Sequence, residues 1–326
     1  MDRTAVTIQV SFIIPHKGRE EMLIQTLQSV SMQTLSEEEY EVIVVSQNET
    51  FSLSLNELKS EIPLTLILND VENTIAHSRN KGAFTAKGKY LAFLDADVEL
   101  EPRWTETMIN LLQQNKDIVL CSAMQACSDS APPLEKIRTA LSNTELDQEV
   151  TFLPGSNLFL ARSVFMDVGG FPEHLSTCED YYFAHQVSQI GTLVCSSATS
   201  YVHLGEDKAF APMFKKEIWR GQSNLASISG RSIPLRELPS FIVPFAVTFG
   251  FLFLLISLLY SQTSLVIMAS VVTLVPLIVY TGRLKKLTGS SVNIGYCLLF
   301  YCLYFPARVF GTLLGIKGAL GTPTHR

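Results

Sequence analysis

Short apolar runs alternate with longer amphipathic stretches through the first 123 residues of the chain. The apolar runs have the length of buried strands, and the stretches between them repeat apolar residues at helical spacing, as in Leu23, Leu27 and Val30. The pattern predicts strands at 10–14, 40–45, 64–68, 90–94 and 118–123 and helices at 75–86 and 101–114. Strands and helices that alternate in this way form βαβ units, so we expect an α/β fold with a doubly wound, mostly parallel sheet flanked by helices.

After residue 123 the alternation becomes irregular. The composition predicts a loop at 128–133, a strand at 152–160 that is interrupted by Pro154-Gly155, and a turn at Gly169-Gly170-Phe171-Pro172. A helix at 179–190 would begin with Glu179 and Asp180 in its first turn. Carboxylates are favoured there because the N-terminal end of a helix carries partial positive charge.

The C-terminal third is strongly apolar, with no charged side chain from Leu238 to Gly282. The stretch 241–260 is long enough to cross a bilayer, and 264–281 is at the lower end of the workable range. A pair of buried core helices is the alternative, but about 20 apolar residues in a row leave no polar face for water. A third stretch, 292–316, contains Arg308 and fits a tilted span, a re-entrant element or a helix in the interface.

We therefore predict two regions: 1–235 as one α/β domain with halves at 1–117 and 118–235, and 236–326 as a membrane region with two or three hydrophobic helices. Basic residues flank the first two apolar stretches, and by the positive-inside tendency they place both ends of this hairpin, and the α/β domain, on the cytoplasmic face. These residues are Lys215, Lys216, Arg220, Arg231 and Arg236 before the hairpin and Arg283, Lys285 and Lys286 after it.

Composition narrows the class of protein. Hydrophobic residues make up 47% of the chain, and the mean hydropathy of +0.23 is high for a soluble enzyme. The formal net charge of -6 argues against a nucleic-acid binder, because such proteins need a basic surface. The six cysteines form no Cys-x-x-Cys pair, and the chain starts without a secretory pattern, so we expect reduced thiols in the cytosol.

Two carboxylates stand one residue apart where the predicted strand 90–94 ends, in Asp95-Ala96-Asp97. The chain contains neither a Gly-x-Gly-x-x-Gly nor a Gly-x4-Gly-Lys-Ser/Thr loop, so any bound diphosphate must be neutralised in another way. A divalent cation held by aspartates is the obvious substitute, and hard oxygen ligands select magnesium or manganese. The alternative is that these aspartates only form a turn or cap the next helix.

Six segments, in this order and spacing, resemble those of the family 2 glycosyltransferases with the GT-A fold, and the resemblance runs from about residue 10 to about residue 225. The segments are Phe12-Ile13-Ile14-Pro15, Ser78-Arg79-Asn80-Lys81-Gly82, Phe93-Leu94-Asp95-Ala96-Asp97, Gly155-Ser156-Asn157, Gly169-Gly170-Phe171-Pro172-Glu173 and Glu179-Asp180.

The resemblance implies roles for the acidic residues. Asp95 would lie near the ribose of a nucleotide-sugar donor and Asp97 on the metal, because a cation stabilises the negative charge that develops on the departing diphosphate. Asp180 would be the general base that takes the proton from the acceptor hydroxyl during inversion. Glu179 would orient the acceptor or raise the basicity of its neighbour, unless both acids only favour the start of the helix.

Other positions are implied in the same way. His203 would join the metal or the diphosphate, although a lone histidine after a strand is equally often structural. Arg79 would face the pyrophosphate or the base as a fixed cation, with a solvated helix residue as the alternative. Gly155 and Asn157 would line the donor-sugar pocket, or act only as turn residues. Pro15 would emerge with Asp95 at the carboxyl edge of the sheet.

The chain departs from the family pattern in two places. The aspartate that usually follows the second strand and bonds the nucleobase is replaced by Ser46-Gln47, either of which would read a uracil edge, so the donor is expected to be a UDP-sugar. The Gln-x-x-Arg-Trp motif of processive synthases is replaced by Glu217-Ile218-Trp219-Arg220, which favours a single transfer.

We therefore expect a membrane-anchored, metal-dependent glycosyltransferase of the hexosyltransferase kind, acting in polysaccharide or glycolipid biosynthesis. Its acceptor is expected to be a carbohydrate, a lipid or a lipid-linked glycan. Two alternatives remain at this point. One is a catalytically silent nucleotide-sugar-binding subunit of a membrane complex, and the other is a metal-dependent nucleotidyltransferase.

Overall fold

The computed structural model describes residues 8–222 and 238–321, with side chains described up to residue 316. The chain divides into two compact units. The first, called here the α/β unit, consists of Met1–Cys127 and Glu145–Gly205, and the second, the helical unit, consists of Ser128–Thr144 and Glu206–Arg326. The predicted boundary at residue 235 lies outside the described residues.

All the described strands belong to the α/β unit: β1 Val10–His16, β2 Tyr40–Ser46, β3 Leu64–Leu68, β4 Tyr90–Leu94, β5 Val98–Leu100, β6 Ile118–Ala126, β7 Glu149–Val150, β8 Asn157–Ala161 and β9 Thr192–His203. Its described helices are α1 Glu20–Ser31, α2 Leu53–Glu61, α3 Ile75–Thr85, α4 Trp104–Gln114, α6 Arg162–Val168 and α7 Glu179–Val187. The described helices of the helical unit are α5 Pro133–Ser142, α8 Phe210–Gly221, α9 Leu238–Leu259, α10 Thr263–Thr288 and α11 Ile294–Gly321.

The strands form one sheet in the order β3-β2-β1-β4-β8-β6-β9-β5, and β7 pairs with β9. Strands β3, β2, β1 and β4 are parallel, which confirms the predicted α/β fold. The second half of the sheet is mixed, because β8 runs antiparallel to both β4 and β6. Asn157 pairs with Leu94, so β8 starts at the edge where β4 ends, and the turn before β8 lies beside Asp95.

Helices cover both faces of the sheet, which explains why β1 is buried along its whole length. On one face, Phe12 and its neighbours pack against α1, α2 and α4, with Trp104 fully buried. On the other face, Ile13 and Phe93 pack against α3, α6 and α7. The alternation of side chains along each strand therefore supplies two hydrophobic cores that hold the strand ends in fixed positions.

In the helical unit, α9, α10 and α11 are long and apolar enough to cross a membrane by length and composition, as the sequence predicts, and this indicates membrane association. A Cβ on Gly250 of α9 would overlap the Thr273 hydroxyl of α10, so this glycine allows the two helices to approach closely. The core of this unit includes Ile137 of α5, Met213 of α8 and Phe305 of α11.

Candidate active site

The carboxyl ends of β1, β2 and β4 lie at one edge of the parallel sheet, the usual position of ligands in α/β folds. Pro15 is the penultimate residue of β1, Ser46 is the last residue of β2, and Asp95 follows β4 directly. Three of the residues predicted to contact the donor are therefore placed at the same edge by strand pairing alone.

The buried guanidinium of Arg79 bonds three other segments of the chain at this edge, at Asp95, Gly155 and Glu179. Arg79 is 1% exposed, and it lies on α3, whose first turn is capped by the Thr74 hydroxyl accepting from the backbone N–H of His77. Its Nη1 donates to Glu179 Oε1 at 2.7 Å, and its Nη2 donates to Asp95 Oδ1 at 2.9 Å.

Gly155 completes the shell around this guanidinium. Arg79 Nη2 donates to the carbonyl oxygen of Gly155 at 3.1 Å. A Cβ at position 155 would lie 2.7 Å from the same nitrogen, so only glycine allows the guanidinium to approach the backbone this closely. The Arg79 guanidinium carbon also lies 5.3 Å from the centre of the Phe171 ring, in a cation–π contact.

Asp180 lies next to this cluster at the start of α7. Its Oδ2 accepts from the backbone N–H of Gly155 at 3.0 Å, and its Oδ1 accepts from the backbone N–H of Tyr181 at 2.8 Å. The residue that precedes the helix, Cys178, has a left-handed backbone with φ 63°, which is strained for a residue that carries a Cβ. The backbone conformation therefore turns the chain sharply where the two acids enter the site.

One cation is shared among several acids in this cluster. Burial raises the pKa of Glu179, and the nearby charge of Asp180 acts in the same direction against the opposing effect of Arg79. For Arg79, burial favours the neutral form, but the charges of Asp95, Glu179 and Asp180 outweigh it and raise the pKa of the guanidinium. Arg79 therefore stays charged and limits the mutual repulsion of the carboxylates.

The Asp97 carboxylate contacts two side chains, those of His203 and Arg19. Its Oδ1 is 3.3 Å from His203 Nε2, and its Oδ2 accepts from Arg19 Nη2 at 2.8 Å. Antiparallel pairing explains the first contact: Val98 of β5 pairs with His203 at the end of β9, and the Leu204 N–H donates to the Asp97 carbonyl oxygen.

The chemistry of this pair suits a divalent cation. A carboxylate and an imidazole are ligands that manganese accepts, and a Cβ at Gly205 would overlap the Asp97 carboxylate, so the glycine keeps this position open. Within residues 8–222 and 238–316, no group of three or more His, Cys, Asp or Glu side chains is arranged to hold a metal. The predicted role of Asp97 and His203 as metal ligands therefore stays a prediction.

The predicted nucleobase contacts lie at the ends of β1 and β2. The Ser46 hydroxyl is fully buried; it lies 2.9 Å from His16 Nδ1 and accepts from the Asn48 N–H. Gln47 Nε2 donates to the carbonyl oxygens of Asp70 and Asn73 at 2.9 and 2.7 Å, so this side chain fixes the loop after β3. Burial lowers the pKa of His16, which favours the neutral imidazole.

The Gly-Gly-Phe-Pro-Glu segment is held to α3 by Asn80. The Asn80 carboxamide donates to the Phe171 carbonyl oxygen at 2.9 Å and accepts from the Phe171 N–H at 2.8 Å. It also donates to Glu173 Oε1 at 2.8 Å. These bonds position the chain just before α7 and therefore contribute to the placement of Glu179 and Asp180.

Asn157 lies inside the sheet. It is fully buried, and its Oδ1 accepts from the backbone N–H of Ala123 at 3.1 Å and from Trp104 Nε1 at 3.3 Å. These contacts brace β8 against β6 and α4.

The structure thus brings together Arg79, Asp95, Gly155, Glu179 and Asp180, and separately Asp97 with His203, while their roles toward a substrate stay predictions. Arg19, His16 and Asn80 also contact residues of this site, although no motif in the sequence indicates them. Their partners lie 78, 30 and at least 91 positions away in the chain, and no local pattern indicates such contacts.

The α/β sheet presents clustered acids at its carboxyl edge, where enzymes with open α/β sheets bind their ligands. Residues 11–169 match the profile of the family described as glycosyl transferase family 2. This segment is therefore a family 2 glycosyltransferase domain, and the sheet has the GT-A fold that the sequence resemblance implies.

Two relatives and one solved structure are similar to the chain. An uncharacterized glycosyltransferase of Haemophilus influenzae is 27% identical over 185 residues, which cover 55% of this chain and 62% of that protein. The glucosyl-dolichyl phosphate glucuronosyltransferase of Haloferax volcanii is 28% identical over 162 residues, which cover 47% of this chain and 52% of that protein. The chain thus matches about half to three fifths of the length of these relatives.

The solved structure is the mannosyltransferase PcManGT from Pyrobaculum calidifontis in complex with GDP-Man and Mn2+. It aligns with a TM-score of 0.62 at 14% identity, over 97% of this chain and 88% of that chain. At this level of identity the likeness concerns the fold.

Proposed function

We propose that the protein is a metal-dependent, inverting and non-processive glycosyltransferase that moves a sugar from a nucleotide-diphosphate-sugar to the hydroxyl of a lipid or lipid-linked glycan. One observation carries this proposal: Arg79 bonds both Asp95 and Glu179, and Gly155 links that guanidinium to Asp180. The strand-end carboxylate and the acids of α7, which are about 85 residues apart in sequence, are thus neighbours at one edge of the sheet.

At the donor end, Asp97 and His203 would hold magnesium or manganese. When bound, the cation supplies positive charge that stabilises the departing diphosphate. Asp95, fixed by Arg79, would accept a hydrogen bond from the ribose. Ser46, Gln47 and Pro15, at the ends of β1 and β2, would form the side of the site that faces the nucleobase, and a UDP-sugar is the donor that we propose to test first.

At the acceptor end, Asp180 would act as the general base. Its carboxylate is partly exposed and is oriented by two backbone N–H groups, from Gly155 and Tyr181. A base that is oriented in this way can take the proton of an attacking hydroxyl. Glu179, buried and paired with Arg79, would keep the start of α7 in place and so position its neighbour.

The apolar helices support the choice of acceptor. A protein anchored by α9 and α10 meets membrane-bound substrates by confinement to the same surface. The name of the Haloferax volcanii relative includes glucosyl-dolichyl phosphate, and we propose an acceptor of that chemical class, a sugar on a polyprenyl phosphate. Because basic residues lie beside the hairpin, we propose from the positive-inside tendency that the active site faces the cytoplasm.

The test uses full-length protein in nanodiscs with Mn2+, a panel of UDP- and GDP-sugars, and glycosylated polyprenyl phosphate as acceptor. We expect transfer by the wild type and a decrease in turnover of about 10²–10⁴-fold in Asp180→Asn, with metal-dependent nucleotide binding retained. The matched control is Asp167→Asn, an exposed aspartate of α6, which should transfer normally.

Other outcomes would overturn the proposal. Nucleotide binding without turnover in any variant would indicate a catalytically silent subunit. Release of pyrophosphate from a nucleoside triphosphate would indicate a nucleotidyltransferase. Equal turnover of Asp180→Asn and wild type would exclude Asp180 as the base.

A further inference from the structure

The third apolar helix, α11, is covered by protein around its middle. The side chains of Phe300, Tyr301, Phe305, Ala307 and Val309 are each at most 5% exposed. Within the most apolar 18 residues of each helix, 22% of the residues are buried in α9 and in α10, compared with 44% in α11. Most of the surface of α9 and α10 is therefore available to lipid, whereas the centre of α11 is not.

A strongly polar helix forms part of this cover. Along α8 and α11, Gly221 and Gly311 face each other, and a Cβ on Gly311 would overlap the Ile218 carbonyl oxygen. The backbones of the two helices are therefore in close contact. The sequence of α8 includes Lys215, Lys216, Glu217 and Arg220, which is not the composition of a helix in hydrocarbon.

Ion pairs connect the same two helices. Arg308 of α11 lies 3.6 Å from Glu217 of α8, and Glu217 also pairs with Arg220 at 2.7 Å and with Arg138 of α5 at 3.2 Å. Arg138 in turn lies 3.4 Å from Glu206. If α11 crossed the bilayer over 294–316, its midpoint would fall at residue 305, and this charged cluster would lie close to the bilayer centre. Charges at that depth are strongly disfavoured.

The hairpin formed by α9 and α10 gives a second way to judge how deep α11 would lie in the bilayer. The ring of Tyr280, in the last third of α10, lies 5.4 Å from the rings of both Tyr301 and Phe305. Arg308 and Thr312 line a small cleft, which they share with the first turns of α9 at Ser240, Phe241, Pro244 and Phe245. The centre of α11 therefore lies at the level where α9 begins and α10 ends, which is the base of the hairpin. It does not lie halfway to the tip of the hairpin at Gln262.

We propose that α11 does not cross the bilayer but lies at its surface, where it forms with α8 a docking surface for phosphate-bearing lipid head groups. The exposed side chains fit this environment. Trp219 of α8 is 52% exposed and stands beside the exposed Lys215, while Phe310 and Leu314 of α11 are each 51% exposed. Aromatic and basic residues of this kind are enriched at the level of the head groups.

The proposal fixes the number of crossings. Only α9 and α10 would span the membrane, so α8 and the end of α11 would lie on the same side, with the hairpin tip on the other. This inference concerns the helical unit and does not depend on which sugar is transferred or whether transfer occurs.

The test measures sidedness in the full-length protein. Single cysteines are introduced as Lys215→Cys, Gln262→Cys and Thr324→Cys in a variant without the six native cysteines, and sealed vesicles of known orientation are treated with a membrane-impermeant maleimide. We expect positions 215 and 324 to react from one side and position 262 from the other. Reaction of 324 from the same side as 262 would show that α11 crosses, and would overturn the proposal.

A second measurement tests contact with lipid. The chain has two tryptophans, so the difference in fluorescence between wild type and Trp219→Phe reports Trp219 alone. Lipids brominated near the head group should quench this difference signal at least twofold more than lipids brominated near the end of the acyl chain. No quenching by either lipid would show that Trp219 does not contact the bilayer, and stronger quenching by the deep probe would show insertion among the acyl chains. Either result would contradict the proposal.

Discussion

Arg19 donates from Nη2 to Oδ2 of Asp97 at 2.8 Å, although the two residues are 78 positions apart in the chain. The preceding Gly18 and Arg19 itself both have positive φ angles, 71° and 25°, and this tight turn directs the side chain toward the carboxylate. The Arg19 side chain is 61% exposed, whereas that of Asp97 is 9% exposed. A largely exposed cation therefore lies on the carboxylate that we propose as a metal ligand.

The first prediction concerns metal affinity in the absence of nucleotide. Because a guanidinium and a divalent cation compete for the same oxygen, Arg19→Ala should bind Mn2+ more tightly, by about fivefold for an exposed ion pair worth about 1 kcal/mol. Electron paramagnetic resonance of free Mn2+ measures this directly. Arg103→Ala removes an exposed arginine that pairs with Glu106 and serves as the control. Unchanged or weaker Mn2+ binding in Arg19→Ala would contradict the competition.

The second prediction concerns the buried guanidinium. Arg79→Met leaves Asp95 and Glu179 without their cation, and removing one partner of a buried pair typically costs about 3–5 kcal/mol. We expect the free energy of unfolding, measured in urea, to fall by that amount. Adding Glu179→Leu to Arg79→Met should recover part of the loss, because one uncompensated charge is removed. A double variant as unstable as the sum of the two single variants would show that the residues do not interact.

The third prediction compares two adjacent glycines with similar backbones. Gly169 and Gly170 have φ angles of 78° and 84°, so alanine at either position is strained by about 1–2 kcal/mol. A Cβ at 169 meets nothing within 4 Å, but at 170 it would lie 2.7 Å from Asn80 Oδ1. Gly170→Ala should therefore destabilise the protein more than Gly169→Ala in thermal unfolding. Equal losses would mean that Asn80 moves aside freely and does not hold Phe171.

The fourth prediction concerns pH. Burial raises the pKa of Glu217, but the charges of Arg138, Arg220 and Arg308 outweigh burial and hold it below its ordinary value of 4.5. An acid with a lowered folded-state pKa contributes stability above its unfolded-state pKa, and this contribution is lost as pH falls through the folded value. The melting temperature of the wild type in detergent should therefore fall steeply below about pH 4.5.

The matched variants for this pH series are Glu217→Gln and Glu72→Gln. Glu217→Gln should be less stable than the wild type at pH 7 and show a shallower loss on acidification, because the titrating group is absent. Glu72 is exposed, and its replacement should leave the acid limb of the curve unchanged. An acid limb equally steep in Glu217→Gln and wild type would assign the pH dependence to other carboxylates.

The sequence predicted those strands and helices that have a clear apolar run or helical periodicity of their own. The predicted strands 64–68 and 90–94 match β3 and β4, and the predicted helix 75–86 matches α3 to within one residue. It did not predict α2, α5 or β5. Only two residues of α2 are buried, and β5 has three residues and exists through its pairing with β9, which begins more than 90 residues later.

Local patterns also identified the chemical candidates, but not their partners. Asp95 and Glu179 each follow a recognisable motif, whereas the contact of both with Arg79 requires the sheet and two helices to be assembled. The same applies to α11. Its composition allowed a span, a re-entrant element or an interfacial helix, and only its packing against α8 and its pairing of Arg308 with Glu217 favour the last.

The sequence by itself determined the four parallel strands β1 to β4, the apolar C-terminal helices and the acids available for chemistry, because hydrophobic periodicity and residue type are local properties. The tertiary structure decided which charges meet: Arg79 with Asp95 and Glu179, Arg19 with Asp97, and Arg308 with Glu217. Such contacts depend on the register of strands and the packing of helices that are distant in the chain, and a one-dimensional pattern does not contain these distances.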